Sequence, residues 1–341
     1  MNILYGVQAT GNGHICRSRE VIKELRLLGH DVSVIFSGRE EDDLWDVDDF
    51  SPYSVYQGLT FVSSCGRVQY WKTALQLNIL RFVRDVISFD ISNIDLVITD
   101  FEPISAYVAK KNKIPCMGIG HQYAFFYDVP FANKNLFSWL LFKTFAPVQI
   151  PLGLHWHHFD QPILPPIVPE MQEDKNVLIK NKILVYLPFE EPDDVKKLLW
   201  GCKDFDFYFY HHRFFHSDIH NLHLRSLSRT GFLHDLLDCS GVLCNAGFEL
   251  PSEALFLRKK VLVIPLKGQF EQESNALALS CLGLGMTMKK LDKSTLEKWL
   301  RSSFDHHIHY PNVARNIAEW IHAEKWNDTS SLIETCWKNS S

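Results

Sequence analysis

The residues with the clearest chemical use lie around Asn245-Ala246-Gly247-Phe248-Glu249, a run continuing through Pro251, Ser252, Glu253 and Ala254. Apolar, strand-like segments bracket it at 241–244 and 260–265, and 248–257 reads as a helix starting directly after a glycine. Strand, glycine and helix start together make an anion site, because unpaired backbone N–H groups and the helix dipole point at the same spot. Glu253, one turn into that helix, can accept a hydrogen bond from a ribose hydroxyl. A second helix is expected at 270–281; it opens on Glu271-Gln272 and contains Asn275-Ala276. The combination points to a ligand that carries a nucleotide.

A second turn, Thr10-Gly11-Asn12-Gly13-His14-Ile15-Cys16-Arg17, follows the first expected strand. Gly11 and Gly13 permit a tight turn and close approach of a ligand. It is not a dinucleotide fingerprint: His14 and Arg17 stand where a third small residue is needed, and no ribose-binding acid follows the second strand. Asp100 ends an apolar strand, at the carboxyl edge where ligands bind in parallel sheets.

The elements that must carry these turns alternate. Strands are expected at 2–7, 31–36, 95–99 and 115–119, and helices at 17–28, 71–87 and 102–112. The near-continuous apolar run before Asp100 suits a strand buried on both faces. Pro162, Pro165, Pro166 and Pro169 read as a linker. Beyond it come strand 182–187, helix 193–201, strand 206–211, a helix at 233–239 just after Phe232, and a last helix at 313–325. The expected class is α/β, with two Rossmann-like doubly wound domains and a cleft between them. Their bounds are 1–161 and 176–341, joined by 162–175, with the last helix packing back on the first domain.

Composition narrows the function. A net charge of −5 over 341 residues argues against general affinity for a nucleic-acid backbone. The eight cysteines show no C-x-x-C pair, which suits buried thiols in a reducing cytoplasm. No signal peptide is visible, and no apolar run reaches the ~18 residues a span needs. The expected location is cytoplasmic.

Residues 231–276 resemble the donor-binding box of GT-B glycosyltransferases. In UDP-sugar transferases that box has a His-x-Gly-x-Asn-Ser-x-x-Glu core and a later Asp-Gln-x-x-Asn-Ala stretch. Gly247, Glu253, Gln272, Asn275 and Ala276 match it, while Asn245 replaces His and Glu271 replaces Asp. The 10–17 turn, 96–103 and Gly118-Ile119-Gly120-His121-Gln122 are similar to a bacterial and archaeal family of predicted transferases. That family is remotely related to the peptidoglycan N-acetylglucosaminyl transferases.

The resemblance implies an inverting, metal-independent transfer from a nucleoside diphosphate sugar, a UDP-sugar by expectation, with no cofactor. The acceptor would be a hydroxyl of a glycan, a lipid-linked molecule or a small molecule. It makes His14 the base and Asp100 its orienting partner. It places the diphosphate on the N–H groups of Gly247 and Phe248, the ribose on Glu253, sugar hydroxyls on Glu271 and Gln272, and the base against Phe232. Gly11, Gly13, Asn245, Ala246 and Asn275 join the donor site, and Arg17, Glu102, His121 and His211 are candidates for the cleft.

Plainer roles fit several of these residues. Asp100 could cap the helix from Glu102 onward, Glu253 could be a surface acid, and Arg17 could pair with a helix acid. Glu271 and Gln272 could serve only a helix start. The acidic turn Glu190-Glu191 would repel a diphosphate unless its carboxylates turn away. A UDP-sugar 2-epimerase-like isomerase and a non-catalytic nucleotide-sugar-binding protein fit the same architecture. The His-rich stretches lack zinc-type spacing, so no metal is expected. Residues 135–143, flanked by Lys134 and Lys143, could lie on a membrane surface or pack as a core helix.

Overall fold

The computed structural model describes the chain except residues 45, 60–62, 65–66, 69–77, 133–141, 172–177, 304–307 and 339–341. Strands β1 (Asn2–Gln8), β2 (Asp31–Ser37), β3 (Tyr53–Tyr56), β6 (Leu96–Asp100), β7 (Cys116–Gly120), β8 (Ile150–Leu154) and β9 (Ile163–Leu164) form one sheet; β4 (Ser63–Ser64) and β5 (Arg67–Val68) pair separately. The first sheet runs β3-β2-β1-β6-β7-β8-β9, parallel throughout. The second sheet contains β10 (Ile179–Tyr186), β11 (Asp206–Tyr210), β12 (Ser217–Ile219), β13 (Leu222–Arg225), β14 (Cys239–Asn245), β15 (Lys260–Ile264) and β16 (Met286–Thr287). Its order is β12-β13-β11-β10-β14-β15-β16, and within this sheet only the edge strand β12 is antiparallel among the described residues. In each sheet the order reverses beside the first strand, between β1 and β6 and between β10 and β14. Such points open a crevice at the carboxyl ends of the strands.

Ten α-helices are described: α1 (Asn12–Leu27), α2 (Ile79–Ser88), α3 (Pro103–Asn112), α4 (Pro192–Trp200), α5 (Arg229–Asp238), α6 (Glu249–Phe256), α7 (Phe270–Cys281), α8 (Lys293–Arg301), α9 (Val313–His322) and α10 (Thr329–Lys338). The β-strands on both sides of α6 are fully or almost fully buried, as apolar segments between two helical layers must be. Helix α9 packs on α1, and Trp337 of α10 donates to the Ile163 carbonyl at 2.6 Å, so the chain's last helices lie against the first sheet. One apolar cluster runs from Val7 and Ile22 through Ile317 and Trp320 to Val242 and Leu255, joining the two halves.

Several local expectations change. Helix α1 begins at Asn12, five residues before the expected start, so the Gly-Asn-Gly-His stretch is the first turn of a helix. Phe232 lies inside α5 rather than ahead of it. The proline-rich stretch starts as β9, and Pro165, Pro166 and Ile167 are buried. Of the expected helix 71–87, residues 71–77 lie outside the described residues, as does most of 135–143. Phe142 from the latter packs on Phe101 and Phe270. Among the described residues no helix is long and apolar enough to cross a membrane.

Candidate active site

The two switch points bring their turns face to face. Asp100, at the end of β6, is fully buried. His14 Nδ1 lies 2.8 Å from its Oδ1, with the imidazole side chain 13% exposed. Arg17, one turn further along α1, donates from Nε to Asp100 Oδ2 at 2.7 Å and from Nη2 to Oδ1 at 2.5 Å. Ser18 Oγ adds a third donor at 3.0 Å. Burial alone would raise the Asp100 carboxyl, but Arg17 and His14 outweigh it and hold the group below its ordinary range. The turn after Asp100 places Phe101 at φ 52°, a left-handed conformation that a bulky residue rarely adopts. Stacking on Phe145 and contact with Phe142 hold it there.

Arg17 also crosses to the other half. Its Nη1 donates to the Glu249 carboxylate at the start of α6. Glu249 lies so close over α1 that a Cβ on Gly13 would sit 2.6 Å from its Cγ, which explains that glycine. Burial pushes the Glu249 carboxyl up to about 7 even though Arg17 opposes the shift. Burial, and then Glu249 itself, pushes Glu253 up to about 8. Nearby, His121 Nε2 meets Asn275 Oδ1 at 2.6 Å, and its ring stacks on Phe248 with centroids 4.0 Å apart. Gln122 donates to Glu271 at 3.0 Å, and Trp156 Nε1 to Ser252 at 2.8 Å.

Beside this polar seam lies a cavity of about 800 Å³ between α1, α5 and α6. Phe232, Tyr186, Tyr210, Ser228, Glu249 and Glu253 are among its walls. Phe232 meets Tyr186 and Tyr210 edge-on, with centroids 5.6 and 5.1 Å away. Tyr210 is fixed by its hydroxyl, which donates to Asp235 at 2.6 Å. Arg229, at the start of α5, pairs with Asp46 at 3.1 Å, and Arg19 of α1 pairs with the same carboxylate at 3.0 Å.

The helix starts divide into two groups. Helices α2, α3, α5, α7, α8, α9 and α10 begin with a side chain that accepts from a first-turn N–H: Asn78, Glu102, Ser228, Gln269, Asp292, Asn312 and Asp328. Helices α1, α4 and α6 have no side-chain cap. These three follow β1, β10 and β14, three of the four strands at the switch points; α3, after the fourth, β6, is capped by Glu102. The starts of α1 and α6 line the cavity and lack a capping side chain, whereas α4 opens on Pro192, which has no N–H. The start of α4 stays acidic: Glu191 pairs with Arg213 at 3.2 Å, but the exposed Asp193 and Asp194 stand in its first turn.

The expected site residues thus separate. His14, Asp100 and Arg17 form one network, and Phe232 and Glu253 line the cavity with Gly13. Gly11 has open space around it, and so does Gly247. Gly247 differs from expectation in one respect: its N–H donates to the Asn245 carbonyl at 2.8 Å, which leaves Phe248 and Glu249 to present the helix start. Ala246 donates to Ile264 and is buried, and Asn245 donates to the same carbonyl. Glu102, expected in the cleft, is fully buried and caps α3, accepting from Ile104, Ser105 and Ser37. It takes the cap role that was open to Asp100. His211 is 1% exposed and packs on Phe209 and Phe214; burial lowers it to about 4, so it is neutral at pH 7. Gln272 accepts from the Leu266 N–H inside its own half. His121, Glu271 and Asn275 engage residues of the opposite half. Sequence reasoning named Glu249 and Gln122 within motifs but gave them no role, and it did not single out Trp156, Tyr186 or Tyr210. Aromatic residues ending β10 and β11 were the available signal for the two tyrosines; the others meet partners from the opposite half, which no spacing encodes.

A fold of two switch-point sheets facing one cleft defines the GT-B class of glycosyltransferases. The glycotransferase of kitacinnamycin superposes with a TM-score of 0.63 at 12% identity, covering 98% of both chains. MurG of Acinetobacter baumannii gives 0.57 at 12% identity, over 94% of this chain and 99% of that one. The spinosyn rhamnosyltransferase SpnG, in its complex with thymidine diphosphate, gives 0.57 at 12%, over 98% and 97%. No curated protein matches the sequence. Residues 1–303 match the family described as Glycosyl transferase family 1, and the chain belongs to that family. It is a glycosyltransferase.

Proposed function

We propose that this enzyme transfers a sugar from a nucleoside diphosphate donor, a UDP-sugar by expectation, to an acceptor hydroxyl with inversion. The observation that carries this reading is the pair of uncapped helix starts, α1 and α6, which line the cavity together with Phe232 and Glu253. Uncapped N–H groups and helix dipoles offset diphosphate charge, so the charge needs no metal to balance it. Phe232 packs against the base, and Glu253 binds the ribose. With Nδ1 directed at Asp100, His14 leaves Nε2 for the acceptor. As the acceptor oxygen bonds to the anomeric carbon, Nε2 takes its proton. The bond from that carbon to the phosphate oxygen breaks, and the nucleoside diphosphate leaves with the electron pair. Asp100 stabilises the imidazolium. The thymidine diphosphate bound by SpnG supports a donor of this chemical class. The acceptor belongs to the glycan, lipid-linked or small hydroxyl compounds.

Calorimetric titration with UDP, TDP and GDP, with and without EDTA, tests the donor site. Binding of one diphosphate, unchanged by EDTA and lost in Glu253→Ala, supports the reading; no binding of any of them overturns it. With a competent donor and acceptor, His14→Ala should lower turnover by roughly 10²–10⁴. Near-full turnover in that variant would remove His14 from the base role.

A further inference from the structure

Asp100 Oδ1 has two claimants. His14 Nδ1 approaches it at 2.8 Å and Arg17 Nη2 at 2.5 Å, and these two nitrogens are themselves 2.7 Å apart. Asp100 favours a proton on Nδ1, which leaves Nε2 bare. Arg17 has no acceptor atom and carries its protons at every accessible pH, so its Nη2 favours a bare Nδ1 with the proton on Nε2. Only the first tautomer can take a proton from an acceptor hydroxyl at Nε2. The position of one guanidinium therefore bears on which form His14 adopts.

That guanidinium is anchored at both ends. Nε and Nη2 hold Asp100 of the first half, and Nη1 holds Glu249, the first residue of α6 in the second. Arg17 is 3% exposed, so it has little water to exchange partners with. An anion arriving at the start of α6 would enter beside Glu249, which itself lines the cavity. It would repel that carboxylate and offer Arg17 a stronger partner.

We propose that Arg17 is a positioning residue that shares Asp100 with His14 and passes the occupancy of the α6 start to the His14 tautomer. This deepens the reading of His14 as the base and rests on it. A diphosphate draws Arg17 toward α6, Asp100 Oδ1 is left to Nδ1–H, and Nε2 is bared for the acceptor. Donor binding thereby prepares the base before the acceptor is engaged. Lysine at position 17 keeps the charge but lacks the planar fork that reaches both carboxylates, so it breaks the link without removing the cation.

The test is the ¹⁵N spectrum of His14 in histidine-labelled protein, with UDP as the probe, in the wild type and in Arg17→Lys. UDP binding is measured separately by calorimetry. In the wild type, UDP should move the Nε2 signal toward the unprotonated range. In Arg17→Lys, UDP should still bind, but the Nε2 signal should lie in the unprotonated range with or without UDP. A UDP response that survives in Arg17→Lys overturns the proposal, as does a wild type that binds UDP without any response. If UDP does not bind at all, the nucleotide reading fails by itself. The ligand-free spectra then decide: different His14 tautomers in wild type and Arg17→Lys support the coupling, and identical ones overturn it.

Discussion

The two ends of the cleft solve opposite problems. The end between α5 and α6 is kept open by aromatic walls, Phe232, Tyr186 and Tyr210, with Glu253 at its side. The end between α1, α6 and α7 is filled by the protein's own polar groups: Arg17 on Asp100 and Glu249, His121 on Asn275, Gln122 on Glu271. Rigid rings can hold a cavity without satisfying one another. Buried charges cannot be left alone, so where the halves bring them together they pair at once. The difference teaches that the open end has room for a ligand, while the filled end satisfies its own charges.

The largest effect should come from breaking the filled end. Arg17→Met leaves Asp100 and Glu249 buried without their cation and should cost roughly 3–5 kcal/mol of stability in urea denaturation. A loss below about 1 kcal/mol, the size expected for an exposed pair, would show that these charges are solvated and the contrast false.

The open end predicts the reverse pattern. Phe232 is half-buried, so Phe232→Ala should leave folding nearly intact. It should weaken UDP binding by about 1–3 kcal/mol, the usual worth of one base stacked on an aromatic ring. Equal loss of stability and binding would mean that the ring is structural.

Glu253 sharpens the comparison through pH. Its folded carboxyl sits at about 8 against an ordinary 4.5, so the folded chain keeps a proton that the unfolded chain has released. That contribution is fully present below about pH 4.5 and is lost as pH rises toward 8, at up to about 1.4 kcal/mol per pH unit. Glu249, at about 7, adds a loss of the same sign over the lower part of that range. Glu253→Gln should flatten the decline between pH 5 and 8 in thermal or chemical denaturation. An unchanged slope would assign the decline to other groups.

The smallest effect concerns the seam again. Trp156→Phe removes the donor to Ser252, whose Oγ keeps its bond to the Phe248 carbonyl. About 1 kcal/mol should be lost, with UDP affinity unchanged. A change in affinity would extend the ligand site to the seam.

Elements made by local pattern were the legible ones. Helix α7 spans the expected residues, and the strands flanking the Asn245 turn lie where the apolar runs place them. The hairpin of β12 and β13 was missed because His216, His220 and His223 interrupt any apolar alternation. Helix α8, three turns at most, was missed as well, although Asp292 at its start was a readable cap. The start of α1 was misplaced for a different reason. Glycine disfavours a helix by propensity, yet Gly13 is required there by the close approach of Glu249, a residue 236 positions away in the other half.

The sequence by itself determined the α/β alternation, the two glycine turns and the family of the chain, because periodicity, propensity and motif spacing act over a few tens of residues. The tertiary structure decided which of the candidate residues meet. It set Arg17 against Glu249, made Glu102 rather than Asp100 the cap of α3, withdrew His211 into the core and left the starts of α1 and α6 uncapped beside one cavity. Those outcomes depend on how two sheets face each other. Burial and pairing of charge are properties of that meeting, and no single segment carries them.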